Sequence, residues 1–187
     1  MSDSLETIVL TCRSGTVPRV VAALKGLFGR RDDVLGCWTT DIGSLNEIVL
    51  LARDSLFEVL TSAVLPELER IDRTLWTLHG DLVPQLEGAC TVWEWRVYEI
   101  LPGREEEAVQ IMQSALSKRI TISPLYALMT SQTGRSRLCH IWPYADATDR
   151  TERRKDALAT GCWPPGDIYQ TIGTMRNAIL SPVVLSS

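Results

Sequence analysis

The chain repeats itself, and that repeat limits the folds open to it more than any other feature. "IVLTCRSG" at 8–15, followed by the helical pattern "VPRVVAALKGLF", resembles "RVYEILPG" at 96–103 followed by "REEEAVQIMQSAL", an offset of 88 between Gly15 and Gly103. Downstream, "CWTTDIGSLNEIVLLARD" (37–54) lines up without a gap on "ALMTSQTGRSRLCHIWPY" (127–144) at an offset of 90, and a second helical stretch follows each copy. Each copy therefore reads strand, helix, hairpin, helix, strand.

In the first copy the pattern predicts strands near 6–13, 35–42 and 46–53, helices near 17–29 and 56–72, and a last strand through "LWTLHGDLV" at 75–83. Ser55 and Glu58 have the spacing of a capping box, Leu56, Leu60 and Val64 recur every fourth residue, and Pro66 is placed to kink the helix. In the second copy strands are expected near 92–101, 124–132, 136–144 and 173–184, with helices near 104–119 and 148–160. Glu105, Glu106 and Glu107 open the first of these helices, where carboxylates favour the positive end of its dipole. Gly43 and Gly134 stand in the hairpin turns, where a positive φ is needed.

This βαββαβ order is the ferredoxin-like unit, a four-stranded antiparallel sheet with two helices on one face. The bare face of each sheet needs cover. Two units in one chain supply it if the sheets pack together into a barrel-like core with helices outside. The fold class expected is α+β, with 1–88 and 89–187 as the two units and a short connection from Gln85 to Thr91.

Composition excludes several classes. Apolar residues at 45% and charged residues at 22% suit a soluble domain with a real core. The net charge is −4 and no basic cluster is longer than Arg153-Arg154-Lys155, so nucleic acid is not an expected partner. Five cysteines without a C-x-x-C pair argue against a disulfide framework or a zinc site, and no metal is expected. "MSDSLETIVLTCRSG" carries no leader pattern, which makes a reducing cytoplasm the expected location. No run reaches the ~18 apolar residues of a membrane span. GxGxxG, P-loop, HExxH and GxSxG are all missing, so no cofactor is expected. Arginine outnumbers lysine 16 to 3, which hints at a GC-rich, bacterial genome.

Chemistry concentrates in "WEWRVYEILPG" (93–103). As a strand it presents Glu94, Arg96, Tyr98 and Ile100 on one face and Trp93, Trp95, Val97 and Glu99 on the other. On the strand at 136–144, Leu138, His140, Trp142 and Tyr144 share a face. These residues carry a resemblance to a known family. "GCWTTDIGSLNEIV" (36–49) resembles the G-x-W-T-T-E-I-G-x-L-N hairpin of the NIPSNAP family. "WEWRVYEILPG" resembles its Y-E-L-R-x-Y-x-L-x-P-G opening strand, and "HIWPYADATDRTERR" (140–154) with "GCWPPG" (161–166) resembles its H-L-W-x-Y strand, following helix and loop. The resemblance implies the dimeric α+β barrel superfamily. The first copy departs from the pattern, with Ile8, Leu10 and Leu50 where Arg, Tyr and His are usual, so the second copy is expected to hold the site.

By analogy with that superfamily, the resemblance implies small-molecule handling by a cofactor-independent oxygenase or isomerase acting on an aromatic or polyketide-like compound, in the manner of secondary metabolism. In that reading His140 takes a proton, Arg96 stabilises the anion formed and Tyr98 orients it. Glu94, Trp142, Tyr144, Tyr126 and Trp38 would complete the ligand surround. The alternatives stay open. A lone histidine on an apolar face is usually a satisfied core residue, Glu94 and Arg96 could be a structural ion pair, and large aromatics mostly fill cores or subunit interfaces. Arg150, Arg153, Arg154 and Lys155 read as the solvated side of a helix. The family also contains interaction proteins, so a binding or scaffold module, or a homo-oligomer, is the competing reading.

Overall fold

A computed structural model describes residues 4–53, 55–82 and 90–185. The element order is β1 (Ser4–Cys12), α1 (Val17–Phe28), β2 (Val34–Ile42), β3 (Glu47–Ala52), α2 (Phe57–Ser62) and β4 (Leu68–Leu78). The second copy follows as β5 (Val92–Ile100), α3 (Glu105–Arg119), β6 (Ala127–Ser131), β7 (Arg137–Tyr144), α4 (Ala147–Ala159), a 3-10 turn (Gly166–Gln170) and β8 (Ile172–Pro182). Two compact units result: Met1–Thr77 with Ala178–Ser187, and Leu78–Asn177. The first five residues of the connection expected at 85–91, and Val83 at the end of the strand expected at 75–83, lie outside the described residues.

In the first unit the strands run β4-β1-β3-β2, with the end of β8 on β2, where Trp38 pairs with Pro182 and Thr40 with Leu180. In the second unit the order is β8-β5-β7-β6, and His79, past the end of β4, donates its N–H to Leu128 at 2.8 Å. Both orders are those of the ferredoxin-like unit, so the fold class is α+β with two such units in tandem. Ile8, Leu10, Ile48 and Leu50 meet Val20, Leu24 and Phe28 of α1 in the core of the first unit. The hairpin glycines are used as their positions require, Gly43 at φ 132° and Gly134 at φ 74°. All five cysteines are free. Burial pushes the Cys37 thiol up to about 12 and, with Glu67 and Glu69 nearby, Cys12 up to about 11, so both behave as small hydrophobes.

One element differs from expectation. The helix expected at 56–72 ends at Ser62, and β4 starts at Leu68. The capping box does not form, because Ser55 turns its hydroxyl to the Glu6 carboxylate at 3.4 Å while the Leu56 N–H donates to the same carboxylate at 2.6 Å. A buried glutamate from another strand thus does the work of the cap, and Pro66, unable to donate a helical hydrogen bond, lies past the helix end.

Trp38 belongs to the first unit, where it is 2% exposed and folds across Gly36. A Cβ at Gly36 would stand 2.0 Å from the indole, so only glycine leaves room for the ring. Gly36→Ala is expected to cost about 1–3 kcal/mol by overpacking, read in a thermal melt as a fall of roughly 2–12 °C. A melt indistinguishable from wild type would mean that Trp38 is free to move.

Candidate functional site

The polar row of β5 is covered. Glu94 pairs across the ladder with Trp142, Arg96 with His140 and Tyr98 with Leu138. Side chains of one such pair share a face, so both rows stand together. Tyr98, Leu138, Trp142 and Tyr144 pack with Ala108 and Met112 of α3 and Ala157 of α4, which places the row under the helices. Glu94 is fully buried and Arg96 keeps 20% of its side chain exposed.

Glu94 finds its counter-charges on α4 rather than on its own strand. Arg150 donates to it at 2.9 Å and Arg154 at 3.0 Å, whereas Arg96 stays 3.8 Å away. The expectation that these arginines form a solvated face is therefore corrected: Arg150, Arg154 and Ala157 are spaced four and three apart, one helical face, and that face turns to the sheet. Arg153, although its side chain is 37% exposed, is tied down, donating to the Ile122 carbonyl at 2.6 Å and to Asp149 at 2.5 Å. Tyr144 donates to Glu94 at 3.4 Å. Burial pushes the Glu94 carboxyl up, but the Arg150 hydrogen bond and the charges of Arg154, Arg96 and Arg150 outweigh it and hold the group below the usual carboxylate range.

His140 is fully buried between rings, 5.0 Å from Tyr98 and 5.7 Å from both Trp142 and Trp163, centroid to centroid and close to edge-on. The Trp142 indole donates to its Nδ1 at 2.5 Å. Burial, then Arg96 and Arg119, press its pKa well below the usual value, so the ring is neutral and its proton sits on Nε2. That nitrogen has no hydrogen-bond partner. In this arrangement His140 offers a donor and keeps no free lone pair.

Sequence reasoning missed Arg119, the last residue of α3. It is 2% exposed, its guanidinium lies 4.5 Å from the centre of the Trp142 ring and 5.9 Å from that of Trp163, and its Nε and Nη1 lack partners. Ala108, Met112 and Arg119 form the buried stripe of α3, at spacings of four and seven, and that periodicity was the available signal.

Beside these groups a cavity of about 240 Å³ opens in the second unit. Arg96, Tyr98, Arg154, Trp163 and Tyr169 give it polar and aromatic walls, and Ile168, Ile172 and Met175 an apolar side. Burial, set against the Arg96 charge, pushes the Tyr98 phenol up, so it stays a neutral donor. Of the expected site residues, Glu94, Arg96, Tyr98, His140, Trp142 and Tyr144 are brought together under the helices, and Arg96 with Tyr98 reaches the cavity wall. Tyr126 is not with them: it stands edge-on to Trp93 at 5.0 Å, and Trp93 lies on the opposite face of β5. Trp38 belongs to the other unit. Among the described residues no cluster of histidines, cysteines and carboxylates could hold a metal, and no helix is long and apolar enough to cross a membrane.

Comparison with known proteins bears on the fold and the family. A candidate monooxygenase from Fusobacterium nucleatum superposes at a TM-score of 0.66 and 12% identity, over 96% of this chain and 91% of its own. An anthrone oxidase-like protein does so at 0.63 and 10%, over 98% and 94%. Both likenesses show the fold alone, an α+β fold over nearly the whole chain. A NIPSNAP family protein from Agrobacterium tumefaciens shares 26% identity over 51% of this chain and 96% of its own, at a TM-score of 0.48. No curated protein matches the chain. The NIPSNAP family model matches residues 93–187, which hold the whole buried arginine-glutamate network, the His140 row and the cavity wall. That match takes in just over half of the chain, which therefore belongs to the NIPSNAP family.

Proposed function

We propose that the second repeat, within 89–187, handles a small aromatic or polyketide-like molecule in the cavity walled by Arg96, Tyr98, Arg154 and Trp163. The observation that carries this reading is the cavity itself. A scaffold module would fill that space with side chains, whereas about 240 Å³ is left open, a little under the usual ~300–1,000 Å³ of small-molecule sites. A ligand of one or two rings suits that volume. Flat aromatic walls with a few convergent polar groups suit its shape.

In the catalytic form of this reading, Arg96 and Arg154 stabilise negative charge on the bound molecule and the Tyr98 hydroxyl donates to it, the kind of fixed electrostatic help that is often the largest catalytic contribution. Trp142 and Tyr144 hold the groups behind the wall, and His140 acts as a positioning residue through its contacts with Tyr98 and Trp163. Cofactor-independent oxygenation and isomerisation are the two reaction classes that fit such a wall, and the names of the fold relatives, a candidate monooxygenase and an anthrone oxidase-like protein, favour the oxidative one.

The test is a panel of hydroxylated one- and two-ring compounds titrated into wild type and Leu158→Trp. Leu158 lines the cavity from its rim and is 63% exposed, so the larger ring obstructs the mouth without entering the core. Saturable binding that weakens about tenfold or more in the variant, equivalent to 1.4 kcal/mol, is the expected result. Loss of the compound in air but not under argon would mark an oxygenase. Failure of every compound to bind saturably, or binding indifferent to the variant, overturns the reading.

A further inference from the structure

We infer that the cavity of the second unit selects a ligand that arrives already ionised, an organic carboxylate on a flat apolar body. This rests on the small-molecule reading above and names its substrate class. Charge balance comes first. The covered face gathers the guanidinium groups of Arg96, Arg150 and Arg154 around a single carboxylate, Glu94, and holds a fourth, Arg119, over the Trp142 ring. One carboxylate cannot balance four cations, and although Arg96, Arg150 and Arg154 keep between 20% and 35% of their side chains exposed, the half-buried excess of one sign favours a partner of the other. Two of these arginines, Arg96 and Arg154, stand in the cavity wall, where such a partner would lie.

Hydrogen-bonding capacity points the same way. The buried nitrogens without partners on this face are Arg96 Nε, Arg119 Nε and Nη1, Arg150 Nε and His140 Nε2, and with His140 protonated on Nε2 every one is a donor. Of these, Arg96 Nε belongs to a residue of the cavity wall, and an orphaned donor there calls for an acceptor, which a carboxylate supplies with several lone pairs. The face also holds no base that could make the anion in place. Glu94 is taken up by arginines, and the one basic nitrogen of His140 already accepts from Trp142. A neutral acid entering the cavity would find donors and nowhere to leave its proton.

The first unit supplies an internal control. At the offset of 88, Glu6 stands where Glu94 does, and at the same offset or 90, Ile8, Leu10, Leu50 and Ala52 replace Arg96, Tyr98, His140 and Trp142. Glu6 is buried too, but there one arginine, Arg73, meets one glutamate, and the charges cancel. The shared glutamate is thus part of the scaffold, while the surplus of cations belongs to the second unit, beside its cavity.

The experiment uses matched probes of one shape, 4-hydroxybenzoate and 4-hydroxybenzamide, titrated by calorimetry into wild type and Arg96→Met at neutral pH, with thermal melts to verify folding. Charge-assisted hydrogen bonds predict that the carboxylate binds about 10- to 100-fold more tightly than the amide. The preference is expected to shrink to about twofold in Arg96→Met if that guanidinium carries it. Equal binding of the two probes overturns the inference and leaves the small-molecule reading standing. Binding of neither probe at millimolar concentration overturns it as well, and if other neutral aromatics still bind saturably, the loss is confined to the charge argument. An undiminished preference in Arg96→Met removes Arg96 from it.

Discussion

Glu94→Gln is expected to be the most damaging single substitution in the second unit. The carboxylate is buried and accepts hydrogen bonds from Arg150 and Arg154, so the amide, nearly the same in shape, leaves three nearby guanidinium groups without their counter-charge. Removing one partner of a buried ion pair typically costs about 3–5 kcal/mol. At this chain length a loss of that size lowers the melting temperature by roughly 6–20 °C. The pH dependence has a definite sign. Because the folded-state pKa of Glu94 is depressed, its contribution is complete above the unfolded value near ~4.3 and is lost as pH falls through the lower folded value. Wild type should therefore lose its advantage over Glu94→Gln progressively below about pH 4. Melts of both proteins between neutral and acid pH measure this; a constant difference across that range would show that Glu94 does not bind its arginines as an anion.

That prediction also shows what could be read from the sequence. The repeat gave the strand and helix order because an eight-residue strand and a periodic helix declare themselves locally. It also indicated that Glu94, Arg96 and Tyr98 would not face water, since alternation puts them on one face and two sheets packed together with helices outside leave neither face of a central strand open to solvent. The partners of Glu94 were not legible. Arg150 and Arg154 are 56 and 60 residues away, and a run of charge on a helix reads as solvated until a buried carboxylate opposite it is known. The state of His140 was hidden for a similar reason. Which nitrogen carries the proton depends on the Trp142 indole two residues along the strand, a contact set by side-chain orientation rather than residue type. The start of α2 follows the same rule, because Glu6, a strand residue, took over the hydrogen bonds that a local capping pattern had promised to Ser55 and Glu58.

Arg96→Met and Arg150→Met are expected to separate binding from stability in opposite directions. Arg96 lies in the cavity wall but sits 3.8 Å from Glu94, so methionine, similar in length and uncharged, leaves Glu94 with two closer arginines. Its cost in stability should stay near that of an exposed ion pair, about 1 kcal/mol or less, while an anionic ligand loses a charge-assisted bond and binds about 10- to 100-fold more weakly. Arg150 is the reverse case. It donates to Glu94 at 2.9 Å and is not part of the cavity wall, so its loss should cost roughly 1.5–3 kcal/mol of stability and change ligand affinity by less than about twofold. Melts and calorimetric titrations of the two variants side by side give four numbers, and the crossed pattern is the signature of a wall residue next to a structural one. If Arg96→Met instead unfolds the protein as severely as Glu94→Gln, Arg96 is a scaffold partner of that carboxylate, and the ligand contact passes to Arg154 alone.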